Sequence, residues 1–208
     1  QQDVLRYALT ANAPETKDND FTWKDFQARN NNELAAIFGN FINRVVVLTH
    51  KYYEGIVPQP NEFLEVDLQT LNELNAYPAV ISSSIERYRF REALGELMNL
   101  ARLGNKYLAD EEPWKMIKTD PERVKTQMYI ALQIASALRV LCEPFLPFTA
   151  AKLDAILNQK QHERSWNSIS ESSDLISVGH QIGQGEILFS QIEDEQIQKQ
   201  IDKLEATK

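Results

Sequence analysis

From residue 23 to about residue 157 the apolar side chains recur every three or four positions, and no alternating apolar run bounded by a tight Asn-Gly or Asp-Gly turn offers a β-hairpin. A chain with that single period buries its apolar surface by packing helix on helix. The predicted fold class is therefore all-α, a helix bundle. Its 208 residues, 43% of them hydrophobic and only seven glycine, suffice for one sizeable packed domain. There is no internal repeat and no low-complexity tract.

Prolines and glycines punctuate the pattern. A first long helix is expected over 32–54, with Leu34, Phe38, Phe41, Val45, Leu48 and Tyr52 as its stripe and with Gly55 and Pro58 as its stop. A second helical region, 63–87, contains Tyr77-Pro78. Proline lacks the donor of the helical bond and clashes with the preceding turn, so a kink or two short helices are predicted there. The next helix, 90–108, turns Ala93, Leu94, Leu97, Leu100, Ala101, Gly104 and Leu108 inward. Pro113 opens a short turn and Pro121 a long helix, 121–141, because proline suits the first helical position. That long helix, with Val124, Met128, Ile134 and Leu138, is the candidate centre of the core. The 142–148 segment ends it and begins another helix running to about residue 157. Periodicity is lost over 159–185, read as a long surface loop, less rigid than the bundle, that packs through Trp166, Leu175 and Ile182. A short polar helix over 195–204, with the narrow stripe Ile197, Ile201 and Leu204, closes the chain.

Composition excludes several classes of function. The lone Cys142 allows no internal disulfide, and His50, His162 and His180 are too scattered to give metal-ligand spacing with it. No stretch approaches the roughly 20 apolar residues of a membrane span. The opening Gln-Gln-Asp-Val-Leu-Arg has neither an initiator Met nor a leader's apolar segment, as expected of a piece of a longer cytosolic protein. A net charge of -8 argues against bulk phosphate binding, but the charge is unevenly placed. Arg87, Arg89, Arg91, Arg102 and Lys106, against Glu86, Glu92 and Glu96, form a locally basic face, whereas Glu193, Asp194, Glu195, Asp202 and Glu205 make the C-terminal end acidic. Such a distribution suits a protein that reads a few bases and leaves bulk phosphate binding to other parts.

Two polar features carry candidate chemistry. Asn40 and Arg44 lie one helical turn apart and project from the same side, roughly 80 to 120° from the centre of the apolar stripe. Both can hydrogen-bond base edges or phosphate, and Trp114, just after Pro113 at a helix start, can stack on an unpaired base. Plainer readings stand beside these: a solvated flank on which Arg44 pairs with an acidic neighbour, and a ring packed under the adjoining helix. Glu111-Glu112 reads as a helix-start charge effect, 178–183 as a simple turn, and His50 and Lys51 as cations at a helix C-terminus. No Gly-rich phosphate loop, nucleophile elbow or His/carboxylate metal pattern occurs, so no catalytic residue is predicted.

In combination, several segments resemble the methionyl-tRNA synthetases, class I enzymes. Asp3-Val-Leu-Arg-Tyr-Ala-Leu-Thr10 and Asp20-Phe-Thr-Trp-Lys-Asp-Phe26 resemble the stretch that links the family's catalytic domain to its helical bundle. Asn40-Phe-Ile-Asn-Arg44 is similar to the first anticodon-contacting helix, and Asn105-Lys-Tyr107 leading to Pro113-Trp114 to the second anticodon element. Gly185-Glu-Ile-Leu-Phe189 with Ile192-Glu-Asp194 resembles the closing segment. The likeness spans essentially the full length, and the joint pattern is far more specific than any single motif.

The resemblance implies a helix bundle of the class I aminoacyl-tRNA synthetase anticodon-binding type over 27–158. Residues 1–26 would be a linker and stem-contact remnant following the catalytic domain, and 159–208 a surface loop and terminal helix packing back on the bundle or on that domain. It implies the anticodon loop of methionine tRNA, CAU, as partner, with Trp114 stacking on the first base, Pro113 fixing the ring, and Asn40 and Arg44 holding base and backbone. Ala36, one turn before Asn40, is polar in some members. The implied setting is cytoplasmic, without membrane contact, with the protein's own catalytic domain as second partner and a monomeric state. The family's His-Ile-Gly-His-type signature, Lys-Met-Ser-Lys-Ser loop and zinc-bearing insertion do not occur in the sequence. No cofactor is therefore expected in this chain, and ATP, with any zinc, belongs to the catalytic part of such enzymes. The rival expectation is a helical protein–protein interaction module, suggested by the acidic charge and the terminal apolar stripe.

Overall fold

Thr22 decides where the first long helix begins. Its backbone is extended and its hydroxyl accepts the Asp25 N–H at 3.1 Å, an N-cap that starts α2 (Trp23–Arg29) well before the expected residue 32. A π-helical stretch (Asn30–Gly39) and α3 (Asn40–Tyr53) continue from it without a break. Leu34, Phe38, Phe41 and Val45 of the expected stripe are fully buried, and Leu48 and Tyr52 are partly so. The stop falls where predicted, with left-handed backbone at Glu54 (φ 55°) and Gly55 (φ 82°). At Gly55 a Cβ would also lie 2.5 Å from the Gln181 amide, so both conformation and space call for glycine. The computed structural model describes residues 2–15, 18–159, 165–172 and 174–206. His162 lies outside them.

α1 (Gln2–Ala11) precedes this long rod, and α4 (Glu65–Glu86), α5 (Phe90–Glu111), α6 (Pro113–Met116), α7 (Pro121–Leu141) and α8 (Pro147–Leu157) follow it. α4 runs through Pro78 as one helix, not two. The proline forgoes one helical bond, and packing of α4 along α5 retains the rest. α7 is the core element, buried from Thr126 through Leu141. α3 and α5 approach closely at Gly104, where a Cβ would fall 2.4 Å from the Phe41 ring.

Among its described residues, the segment after α8 carries more structure than its composition suggests. It contains a short helix, α9 (Trp166–Glu171), capped by Ser165, that the sequence reading missed. Leu175 and Ile182 are buried as expected. Gln133, wholly buried on α7, accepts the N–H groups of Leu175 (2.6 Å) and Ile176 (3.0 Å) and donates to the Ile176 carbonyl (3.0 Å). Further along, Val57 exchanges backbone bonds with Gly179 and His180, and an isolated antiparallel bridge joins Ile56 to Gln181. His50, expected only to complement a helix end, bonds the Gly183 carbonyl at 2.8 Å. No strand occurs among the described residues beyond that bridge. α10 (Asp194–Glu205) lies at the surface with none of its residues buried, anchored by Gln27 to the Asp194 carboxylate at 2.8 Å.

A buried ionic cluster locks α4, α5 and α7 together. Asp67, with no exposed side-chain surface, accepts both terminal nitrogens of Arg123, the Tyr107 hydroxyl (2.6 Å) and the Leu64 N–H (2.8 Å). Arg123 also donates to Glu111 at 2.6 Å, and Gln127 donates to the same carboxylate at 3.0 Å. Glu111 is thus a structural anion of the α5–α7 seam, which corrects its reading as a helix-start charge effect. Burial alone would raise the Asp67 pKa, but Arg123 and Tyr107 outweigh it and hold the carboxyl below its usual 3.8. Burial and the Asp67 carboxylate push the Tyr107 hydroxyl far up.

Two outcomes are expected. Because the folded Asp67 pKa is depressed, its stabilisation is complete above about pH 4 and is lost as pH falls through the folded value. Asp67→Asn should therefore cost about 3 kcal/mol at neutral pH, and less in acid, in urea unfolding curves taken from pH 7 to pH 3. Gly104→Ala should cost about 1–3 kcal/mol by overpacking against Phe41, read in the same assay, with Gly95→Ala as a control because its Cβ meets open space.

Candidate nucleic-acid interface

Trp114 is the second residue of α6, and the turn that aims it is sharp. Glu112 takes left-handed backbone (φ 43°, ψ 55°), ending α5 and capping α6, and Pro113 is buried at the first helical position. Glu112 pairs with Lys115 at 2.7 Å across the turn. The Asp67 cluster holds this elbow from both sides, through Tyr107 and Glu111 before it and Arg123 and Gln127 after it.

Arg44, on α3, lies over the indole with its guanidinium carbon 4.6 Å from the ring centroid. Among the described residues it forms no ion pair, so the expected acidic neighbour is replaced by a cation–π contact. The indole is half-buried against the core, combining the two readings of Trp114: part of the ring packs and part stays accessible. One turn before Arg44, the exposed Asn40 amide donates to Asn105 Oδ1 of α5 at 3.4 Å. Asn105 is held in place, since its own amide donates to the Ile37 carbonyl at the end of the π stretch (2.9 Å) and to the Ala101 carbonyl (3.2 Å).

The four singled-out residues therefore converge, with Asn40, Arg44 and Trp114 at the surface and Pro113 beneath. Asn105 joins them, a role the sequence did not single out within its motif. Beside that motif, the signal was an amide between the inward-facing Ala101 and Leu108 of α5. Ala36, a turn before Asn40, is exposed. Chemically the cluster offers a π-face, a planar cation without a counter-charge, and an amide presenting both donor and acceptor. Among the described residues no group of three His, Cys, Asp or Glu is placed to hold a metal ion, and no helix is long and apolar enough to cross a membrane.

The chain matches the family model described as the anticodon binding domain of methionyl tRNA ligase over residues 57–208, and the model of class I (M) tRNA synthetases over residues 1–46. It is 83% identical over its full length to methionine–tRNA ligase of Flavobacterium psychrophilum and 59% identical to that of Cytophaga hutchinsonii. In each case it spans 30% of the relative's length. Among solved structures it superposes on the apo form of Mycobacterium tuberculosis methionyl-tRNA synthetase with a TM-score of 0.85 at 22% identity, covering 92% of this chain and 39% of that one. The same organism's enzyme in complex with methionyl-adenylate gives a TM-score of 0.83 at 24% identity, covering 90% and 37%. These matches place the chain in the methionyl-tRNA ligase family, with its helical anticodon-binding domain over residues 57–208.

Proposed function

We propose that this domain reads the CAU anticodon of methionine tRNA through Asn40, Arg44, Pro113 and Trp114. In this reading the chain is the anticodon-binding part of a cytoplasmic, monomeric methionine–tRNA ligase. The larger part of that enzyme would charge the tRNA with methionine using ATP, and this part alone would be inactive. The observation that carries the proposal is the Arg44–Trp114 stack beside Asn40, a π-face and unpaired donors gathered at one surface point.

Magnitudes indicate how a base enters. A cation–π contact between half-buried groups lies between the about 0.5–1 kcal/mol of an exposed pair and the about 2 kcal/mol of a desolvated one, and stacking a base on an aromatic ring is worth about 1–3 kcal/mol. An unstacked base displaces Arg44 from the indole. The freed guanidinium then donates in bidentate fashion to a base edge or a phosphate, which adds to the gain. Asn40 supplies a donor and an acceptor to a neighbouring Watson–Crick edge, with Asn105 limiting its rotation.

The rival reading, a protein-docking module, rests on α10, whose apolar stripe leaves no residue buried. Titration with a CAU anticodon stem-loop and with a loop altered at the first base, at fixed salt, separates the two. We expect preference for CAU, and at least a fivefold loss of affinity with Trp114→Ala that also abolishes the preference. Equal or absent binding to both loops would refute the anticodon reading. Arg44→Lys keeps the charge but not the planar fork, and is expected to weaken CAU binding by about 1 kcal/mol without destabilising the fold, as checked by parallel unfolding curves. Tryptophan emission that ignores added tRNA would favour the docking module.

A further inference from the structure

The stack of Arg44 on Trp114 has a counterpart farther along α3. Lys51, seven residues beyond Arg44, lies with its Nζ 5.3 Å from the centroid of the Tyr52 ring. Among the described residues these are the two cation–π contacts, and both cations stand on one helix. At about 100° per residue, Asn40, Arg44, Val47 and Lys51 fall within about 60° of one another, so they form one line along α3. Val47 on that line is 51% exposed, and Lys51 is exposed as well. The order along the line is Asn40, then Arg44 with Trp114, then Lys51 with Tyr52, the last about 10 Å beyond the second.

The second pair repeats the features of the first. Tyr52, like Trp114, is half-buried against the core, and the Tyr53 ring backs it edge-on, with centroids 6.4 Å apart and planes at 81°. A ring fixed in that way has little freedom left to lose when a base lies on it. Lys51 forms no ion pair among the described residues. Glu54, three residues on, has left-handed backbone and leaves the helical line. Glu122, whose carboxylate charge reaches Tyr53, is taken by Lys125 at 2.7 Å and by the Asn61 amide at 3.0 Å. The helix C-terminus accounts for a cation at position 51 but not for the ring beneath it. Together the two side chains offer a π-face beside an unneutralised ammonium, the combination that holds an unpaired base and its phosphate.

We infer that Lys51 and Tyr52 form a second base-stacking site, which takes a loop nucleotide on the 5′ side of CAU, an inference that rests on the anticodon reading. The side follows from the order along α3. With the first base of CAU on Trp114 and its neighbour in the triplet beside Asn40, the strand that runs past Trp114 the other way is the one preceding CAU. A span of about 10 Å holds one extended nucleotide, or about three stacked at 3.4 Å each, and so reaches the two nucleotides immediately before the triplet. Tyr52 stacks the base, and Lys51 swings off the ring to the adjoining phosphate. The site adds affinity without reading identity, because every base presents a π-face.

The 208-residue chain is titrated with CAU stem-loops from which a single base has been removed, at each of the two positions before the triplet and each of the two after it, the sugar–phosphate backbone being left intact. We expect removal of one of the bases before the triplet to weaken wild-type binding at least about fivefold, and removal of either base after it to change binding less than about twofold. Tyr52→Leu weakens the intact loop by the same factor, keeps the preference for CAU and shows no further loss on that abasic loop, whereas Tyr52→Phe binds as the wild type does. Lys51→Gln, at an exposed position, makes the slope of log K against log salt shallower by about 0.7, the value for one single-strand phosphate. Wild-type binding indifferent to both bases before the triplet would overturn the inference without recourse to a variant. So would a Tyr52→Leu loss equal on every abasic loop, an unchanged slope for Lys51→Gln, or capture of an acidic peptide, in place of RNA, that depends on Lys51 and Tyr52. A preference for CAU that is abolished by Trp114→Ala keeps the anticodon reading in each of those cases, and a wild-type chain without that preference overturns both.

Discussion

The bidentate pair between Asp67 and Arg123 is the contact on which the Trp114 end of the bundle depends. Three helices supply its members, and each has polar groups that would be costly to bury alone. Satisfied together, they tie α4, α5 and α7 to one another where the three helices converge. The elbow at Glu112–Pro113 is suspended between those helices. Trp114 therefore acquires its position from a cluster it does not touch.

The second constraint is close approach. Gly104 lets Phe41 press into α5, bringing α3 near enough for Asn40 to meet Asn105. Asn105 then spends its amide on backbone carbonyls, one of them at the end of the π stretch. The apolar contact and the amide bonds share one seam, so packing and polar pairing are joined there. Arg44, which forms no ion pair among the described residues, rests on the indole.

Most helix ends were legible because their determinants are local. Pro113 and Pro121 open helices where proline suits the first position, and the left-handed Glu54–Gly55 pair closes α3. Where reading failed, the missing information was non-local or polar. The start of α2 was misplaced because its cap, Thr22, stands within a short aromatic run, Phe21, Trp23 and Phe26, whose rings pack on one another and not in a long stripe. Leu175 and Ile176 looked loop-like because their backbone groups are bonded by Gln133, a buried amide on a distant helix that no sequence window connects to them. Glu111 looked like a surface charge until Arg123, twelve residues on, came to face it.

From sequence alone the helical period fixes an all-α bundle, the caps and prolines set most of its boundaries, and the joint motifs indicate which residues could meet RNA. Each of these signals acts within a turn or two of chain, or is carried by residue identity itself. Only the tertiary structure decided that Asn40 would meet an amide 65 residues away, that Arg44 would lie on an indole and not beside a carboxylate, and that Asp67 would be neutralised by a cation 56 residues distant. Those outcomes depend on how helices cross. Crossing is set by the shape of the whole core and the need to satisfy every buried charge, and no local pattern encodes it.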